Sequence, residues 1–273
     1  MNRYLTDMAI LKKYRYLISR RIVQLALLGL FVGANYFGWN ILKGNYSSAL
    51  LFETVPLGDP YAVIQILASG FISSSELILG ATIILLVYGL LLGRMFCSWV
   101  CPVNIIEDAA IWLNNKLGLK YSLSLSRQIR YWALGLGIIL SAILGYAAFE
   151  AVSPISMVHR GIIFGIGGGW AFILALFLFD FAITKFGWCG HLCPLGAFYS
   201  FISKYALIKV KYNNDKCTQC MKCFAVCPEE QVLSIVTHTS GIIKPAECTN
   251  CGRCIEVCDD DALNLSLRTI NKK

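Results

Sequence analysis

Charge is scarce in this chain. Only 15% of its 273 residues are Asp, Glu, Lys or Arg, while 57% are hydrophobic. Soluble domains carry about a quarter charged residues, so the deficit excludes an ordinary soluble protein. Acidic residues are the scarcer sign, 16 against 24 basic, for a net charge of +8. That excess does not imply nucleic acid, because the basic residues fall where a bilayer would sort them. No small-x-small site follows the first long apolar run, which favours a retained anchor over a cleaved signal peptide. Cysteine, by contrast, is abundant, with twelve in all. In so apolar a chain they point to metal or redox sites rather than a disulfide scaffold.

Four apolar stretches stand out, Ile22–Ile41, Leu77–Leu92, Tyr131–Phe149 and Ile162–Phe179. With a little extension each is long enough to cross a bilayer as a helix; the second extends back through Ile72. Arg3, Lys12, Lys13, Arg15, Arg20 and Arg21 precede the first, and Arg94, Lys116, Lys120, Arg127 and Arg130 lie between the second and third. The loop after the first has only Lys43 against Glu53, Asp59 and Glu76, and the loop after the third only Arg160. This bias puts both termini in the cytoplasm. The expected organisation is a basic cytoplasmic segment (1–21), a four-helix transmembrane domain (22–205) and a cysteine-rich unit (206–273). A membrane location, with the cysteine-rich unit on the cytoplasmic side, follows.

The cysteine-rich unit carries two C-x2-C-x2-C-x3-C runs, Cys217-Cys220-Cys223-Cys227 and Cys248-Cys251-Cys254-Cys258. In this spacing three sulfurs turn inward on one cubane and the fourth reaches the other. Cys217, Cys220, Cys223 and Cys258 are therefore expected to hold one [4Fe–4S] cluster, and Cys248, Cys251, Cys254 and Cys227 the second. Gly252 is expected where loop backbone packs near inorganic sulfide. Zinc prefers separated C-x2-C pairs, and disulfides need an oxidising compartment that the topology argues against. Cys227 is followed by Pro228 but Cys258 by Asp259, so the second turn departs from the first. The predicted fold is membrane α-helical, four transmembrane helices with a C-terminal α+β bacterial-type two-cluster ferredoxin domain.

A second motif closes the second apolar stretch, Gly93-Arg94-Met95-Phe96-Cys97-Ser98-Trp99-Val100-Cys101-Pro102. It recurs as Gly187-Trp188-Cys189-Gly190-His191-Leu192-Cys193-Pro194. Cysteines at i and i+4 share a helix face, and Pro ends the helix just beyond. The repeat suggests a duplicated two-helix unit. Cys97, Cys101, Cys189 and Cys193 form a possible third redox site. They could ligate a third metal or iron–sulfur centre, cycle as dithiols, or simply pack. The spacing leaves all three open.

Smaller signals follow along the chain. Asp59-Pro60 reads as a helix start, and the apolar helix after it could roof a quinone pocket or pack the bundle. His159, in a turn expected at 153–160, could take a proton from a quinol, or be a solvated loop histidine. Asn35 and Asn40 are expected to bond a neighbouring helix. Ile105–Lys116 is an amphipathic stretch expected over the first cysteine pair. The 165–169 glycine run lacks a preceding strand, so it is a packing feature rather than a dinucleotide loop. Asp180 is a functional candidate as an intramembrane acid, or it only snorkels or pairs with Lys185. Lys209–Tyr212 reads as a strand, with a hairpin at 232–236 and 241–244.

Four apolar spans, two C-x3-C-P motifs and a terminal two-cluster ferredoxin together resemble the NapH-type quinol dehydrogenase subunits of periplasmic nitrate reductase systems. NosR-, MauN- and FixG/RdxA-type proteins are related, and the short length favours the NapH type. The resemblance implies oxidation of menaquinol or ubiquinol. It also implies a periplasmic NapG-type ferredoxin partner leading to a downstream cytochrome and nitrate reductase. The other function to weigh is a metal-centre maturation protein or metal/disulfide reductase fed through the clusters. The topology raises a difficulty: clusters in the cytoplasm must serve an acceptor in the periplasm.

Overall fold

The computed structural model describes residues 13–123, 125–165, 167 and 169–268. Most of the expected basic segment, residues 1–12, lies outside them. The chain runs as a helical bundle with a small sheet at one end and the cysteine-rich unit at the other.

Helix α1 (Arg15–Phe37) is 23 residues long, so the basic residues Arg20 and Arg21 lie inside the helix. It ends where Gly38 turns left-handed at φ 68°. Three short strands follow, β1 (Leu42–Gly44), β2 (Ser48–Leu51) and β3 (Val55–Gly58), in an antiparallel meander. Helix α2 (Pro60–Ala68) starts as the sequence suggests, with Asp59 accepting from the Tyr61 N–H. Helix α3 (Ser75–Leu86) is capped by Ser74 and continues as a π-helical segment, Val87–Leu92. It packs hard on β3: a Cβ on Gly80 would stand 2.8 Å from the Gly58 nitrogen. Helix α4 (Val103–Leu117) is the expected amphipathic stretch, and α5 (Ile129–Leu144) ends at Gly145, again left-handed.

Two of the expected apolar stretches are cut differently. The third stops at Leu144, and a short α6 (Ala148–Val152) turns away. The expected turn at 153–160 is helix α7 (Pro154–Phe164), started by Pro154. It ends at Gly165 (φ 86°), so the glycine run interrupts the fourth stretch, which resumes as α8 (Gly169–Leu178) and a π-helical segment, Phe179–Ile183. By length and composition, Arg15–Phe37 and Ser75–Leu92 can cross a membrane; Ile129–Leu144 and Gly169–Ile183 are apolar but shorter. The bundle buries an aromatic core, Tyr61, Tyr88, Phe149, Phe198 and Tyr199. Outside it lies a wide apolar surface that includes Ile22, Leu25, Leu79, Ile143 and Leu174.

After α9 (Pro194–Ile202) the chain enters the cysteine-rich unit. Strand β4 (Ile208–Tyr212) matches the expected strand and is central, between β5 (Gly241–Ile242) and β6 (Leu263–Leu267), all antiparallel. The expected 232–236 arm of a hairpin is instead a 3₁₀ turn, Glu230–Leu233. Two short helices, α10 (Lys222–Val226) and α11 (Arg253–Glu256), complete the unit around a core of Val210, Tyr212, Leu233, Ile243 and Leu263.

Candidate functional site

The two cysteine runs surround two cavities. One, of about 360 Å³, is lined by Cys227, Cys248, Cys251 and Cys254; the other, of about 350 Å³, by Cys217, Cys220, Cys223 and Cys258. The local backbone makes this possible. Gln219, Met221 and Asn250 take positive φ, as does Gly252 at 76°, and each folds the loop inward. A Cβ on Gly252 would meet Tyr16 Cγ of α1 at 2.4 Å, so this glycine answers both a left-handed backbone and a helix lying against it. Among the described residues no three His, Cys, Asp or Glu side chains converge as a single metal ion needs. Thiolates spread around a cavity are instead the donor set of an iron–sulfur cubane.

The unit is seated on the end of the bundle. Ser98 Oγ donates to the Thr249 carbonyl at 2.8 Å, and Trp99 Nε1 to the Asn250 carbonyl at 3.1 Å. Asn250 Nδ2 returns bonds to the Leu92 and Ile208 carbonyls. Asp108 of α4 is bracketed by Arg21 and Arg253, and the Leu17 N–H donates to Glu256.

At the centre lies Glu229, just after Cys227-Pro228. It is 2% exposed and pairs with Arg94 at 2.5 Å, and with Arg127 and Arg130. Burial pushes its carboxyl up, but Arg94 and Arg130 overcome this and hold it at about 2. Nothing in the sequence announces this cluster. The four residues are dispersed, and only Arg94 belongs to a recognisable motif.

The C-x3-C-P cysteines are brought together. All four line one cavity of about 360 Å³. Cys97 and Cys189 sit on equivalent π-helical turns, Phe96–Val100 and Trp188–Leu192, while Cys101 and Cys193 are the extended residues that end them. Gln24 of α1 donates to the Cys101 carbonyl at 3.0 Å. Glu107 accepts the Cys189 N–H at 2.8 Å, and Val103 borders Cys97 and Cys101, so α4 lies against both cysteine pairs. Asp180 is fully buried and accepts from the Trp188 N–H; Lys185 pairs with Glu230 instead.

A larger cavity, about 890 Å³, runs between α1, the β1–β3 sheet and α3. Its wall is mostly apolar, from Leu30 and Phe31 to Leu57, Ile84 and Phe96, with Asn45, Tyr46 and Asp59 as polar points. The sheet, rather than α2, roofs it. Tyr46 Oη is buried without a hydrogen-bond partner. Burial, then the nearby Glu150 charge, push Asp59 up to about 7. His159 does not line the cavity. It is buried behind the wall, its ring 5.1 Å from Phe31 and 5.9 Å from Tyr46, with Nε2 unpartnered. Burial, followed by Arg160, lowers its pKa. Asn35 bonds its own helix at the Phe31 carbonyl, not a neighbour.

Residues 76–120 and 163–214 match the family described as 4Fe-4S binding domain, and residues 209–259 the 4Fe-4S dicluster domain. The ferredoxin-type protein NapH of Escherichia coli is 45% identical over 81% of this chain and 78% of that protein. The methylamine utilization ferredoxin-type protein MauN of Methylorubrum extorquens is 39% identical over 82% and 79%. A putative electron transport protein of E. coli, YccM, is 27% identical over 70% of this chain and 53% of its own length. No solved structure matches. Identity of this order over so much of both chains, across the membrane-type and cysteine-rich parts alike, makes this chain a member of the NapH/MauN-type family, an iron–sulfur electron-transfer protein of the ferredoxin type.

Proposed function

We propose that the chain spans a bacterial inner membrane four times, oxidises menaquinol or ubiquinol, and passes the electrons to its iron–sulfur clusters. The spans are α1, α3 with its π-helical extension, α5, and α8 with its extension. The two shorter ones are accommodated by local thinning of the bilayer. Supporting the orientation, Arg94, Arg127 and Arg130 gather at the cysteine-rich end, whereas Glu53, Asp59 and Glu150 lie toward the sheet. Both termini and the ferredoxin unit are then cytoplasmic. Cys217, Cys220, Cys223 and Cys258 hold one cubane; Cys227, Cys248, Cys251 and Cys254 hold the other. When bound, these clusters supply one-electron acceptors.

The observation that carries the quinol reading is this large, mostly apolar cavity with its few polar points. A quinone ring fits against Phe31, Leu57 and Phe96. Tyr46, whose hydroxyl lacks a partner, binds one ring oxygen. Oxidation releases two electrons and two protons; the Asp59 carboxylate, pushed up to about 7, accepts one proton and the other leaves to water at the sheet end. His159 stands behind Tyr46 and orients it rather than receiving the proton directly. The cavity reaches from the sheet end to Phe96, which supports a route for electrons across the bilayer. By kinship with the NapH protein, the final acceptor is a periplasmic NapG-type ferredoxin partner and, beyond it, a cytochrome and nitrate reductase.

A second reading runs the same path in reverse. The clusters then take electrons in the cytoplasm for metal-centre maturation or for metal or disulfide reduction. The cytoplasmic side assigned to the clusters favours it, as does the kinship with MauN proteins. The full chain, loaded with clusters in lipid nanodiscs, separates the two. Rapid anaerobic bleaching of cluster absorbance by menaquinol or ubiquinol analogues is the expected result. Reduction by a soluble low-potential ferredoxin but not by quinols would replace the first reading with the second.

A further inference from the structure

The C-x3-C-P cysteines are accounted for by neither ferredoxin cluster. We infer that Cys97, Cys101, Cys189 and Cys193 jointly hold a third [4Fe–4S] cluster, one cubane shared between the two halves of the duplicated unit. The family description of residues 76–120 and 163–214 is 4Fe-4S binding, yet each segment has only two cysteines. A cubane takes four thiolates, so neither half can hold one alone and both together can hold one.

Three observations carry the inference. First, grouping: all four cysteines line one cavity, as each ferredoxin quartet lines its own. As in those two, the sulfurs are arranged around a space rather than on a point; among the described residues there is no cluster fit for a single ion. Second, symmetry: the π-helical segments begin at Val87 and Phe96 in one half and at Phe179 and Trp188 in the other. Each of the four cysteines therefore has a counterpart in matching backbone, Cys101 at φ −65°, ψ 122° and Cys193 at φ −67°, ψ 112°. π-Helical turns are uncommon and concentrate at functional sites; simple packing gives no reason to keep two in register. All four cysteines are free thiols.

Third, charge. Four thiolates around a cubane leave a net negative group that needs compensation when buried. Helices α4 and α9 both begin immediately after the second cysteine of each pair, at Val103 and Pro194, so two helix N-termini face the site. The buried guanidinium of Arg94 reaches the Cys189 carbonyl at 3.2 Å, and that of Arg130 the Gly190 carbonyl at 3.2 Å. Arg94 and Arg130 share Glu229, and Arg130 also approaches Glu247 at 3.7 Å.

Position gives the cluster a task, and this part rests on the quinol reading above. Phe96 is a wall of both the large cavity and the quartet's cavity. Cys97 and Cys189 also border a further cavity that Cys251 lines as well. The quartet therefore stands between the quinol site and the nearer ferredoxin cluster, as the first electron acceptor.

The test is metal and sulfide content of the full chain, purified anaerobically, chemically reconstituted, and compared with Cys97→Ser/Cys189→Ser. About twelve irons and about twelve acid-labile sulfides per wild-type chain, falling to about eight of each in the variant, are expected. Mössbauer spectra should lose a third of their intensity. Eight retained in the variant also shows that it has folded. About eight in the wild type, with the quartet recovered as thiols or disulfides by alkylation mass spectrometry, would overturn the inference without recourse to any variant. So would one extra metal ion without extra sulfide. A twelve-iron chain that quinol cannot reduce would leave the third cluster standing and remove only its task.

Discussion

Removing the charge of Glu229 should loosen the seat of the ferredoxin unit more than any other single change at that interface. Glu229 is buried between Arg94, 1% exposed, and Arg130, fully buried; Arg127 is 30% exposed and matters less. Glu229→Gln keeps the shape but leaves Arg94 in a buried site without its counter-ion, and Arg130 with only the longer contact to Glu247. Breaking a buried ion pair in this way costs about 3–5 kcal/mol. At roughly 2–4 °C per kcal/mol for a unit of 150–250 residues, the midpoint of thermal cluster loss should fall by roughly 6–20 °C. The assay is visible absorbance of the clusters on heating in detergent, with iron content matched at the start. A shift below about 2 °C would refute the reasoning, because it would mean that the two arginines are hydrated or otherwise paired. The same pair sets a sign for acid. Glu229 sits at about 2, below the usual 4.5, so its contribution is complete above about pH 5 and is lost as pH falls from about 4.5 toward 2.

Further outcomes follow from particular side chains. Asp59 titrates near 7 and must be ionised to take a proton. The rate of cluster reduction by quinol should rise about tenfold per pH unit below 7 and level off above it. Asp59→Asn, which still caps α2, should flatten that profile and slow the rate; an unchanged profile would remove Asp59 from the reaction. Tyr46→Phe should raise the KM for quinol roughly five- to tenfold, the worth of one hydrogen bond at about 1 kcal/mol, with little change in iron content. Gly252→Ala imposes a side chain on a left-handed backbone and on Tyr16 at 2.4 Å. It should selectively weaken the cluster bordered by Cys248, Cys251 and Cys254, read as loss of one electron paramagnetic resonance signal. Adding Tyr16→Ala should recover part of that loss, since it relieves the contact but not the backbone.

The grouping of the eight ferredoxin-type cysteines around two cavities was legible because local spacing dictates it. Two C-x2-C-x2-C-x3-C runs need only short-range loop geometry to surround two cavities, and the strand at Ile208–Tyr212 and the Asp59 cap are equally local. The duplicated C-x3-C-P motif also announced itself as a repeat, though not its π-helical turns, which pattern alone does not encode. What stayed hidden depends on contacts distant in sequence. Glu229 meets arginines about 100 residues or more earlier, and Glu107 reaches a cysteine pair 82 residues away. His159 lies in a stretch expected as a turn between two apolar spans; Pro154 instead starts a helix there, and His159 is packed against Phe31 and Tyr46. Of the two roles open to α2, roofing a pocket or packing the bundle, the large cavity supports the second: the β1–β3 sheet covers it, and strands of three or four residues leave little periodic signal.

The most direct test of electron entry from the large cavity is to fill it. Ala49 lies on β2, 9% exposed, at the cavity wall. Ala49→Trp should give a chain with full iron content whose clusters bleach normally with dithionite but at least tenfold more slowly with menaquinol or ubiquinol analogues. Quinol reduction at the wild-type rate in that cluster-loaded variant would contradict the account, and would place the entry of electrons elsewhere in the chain.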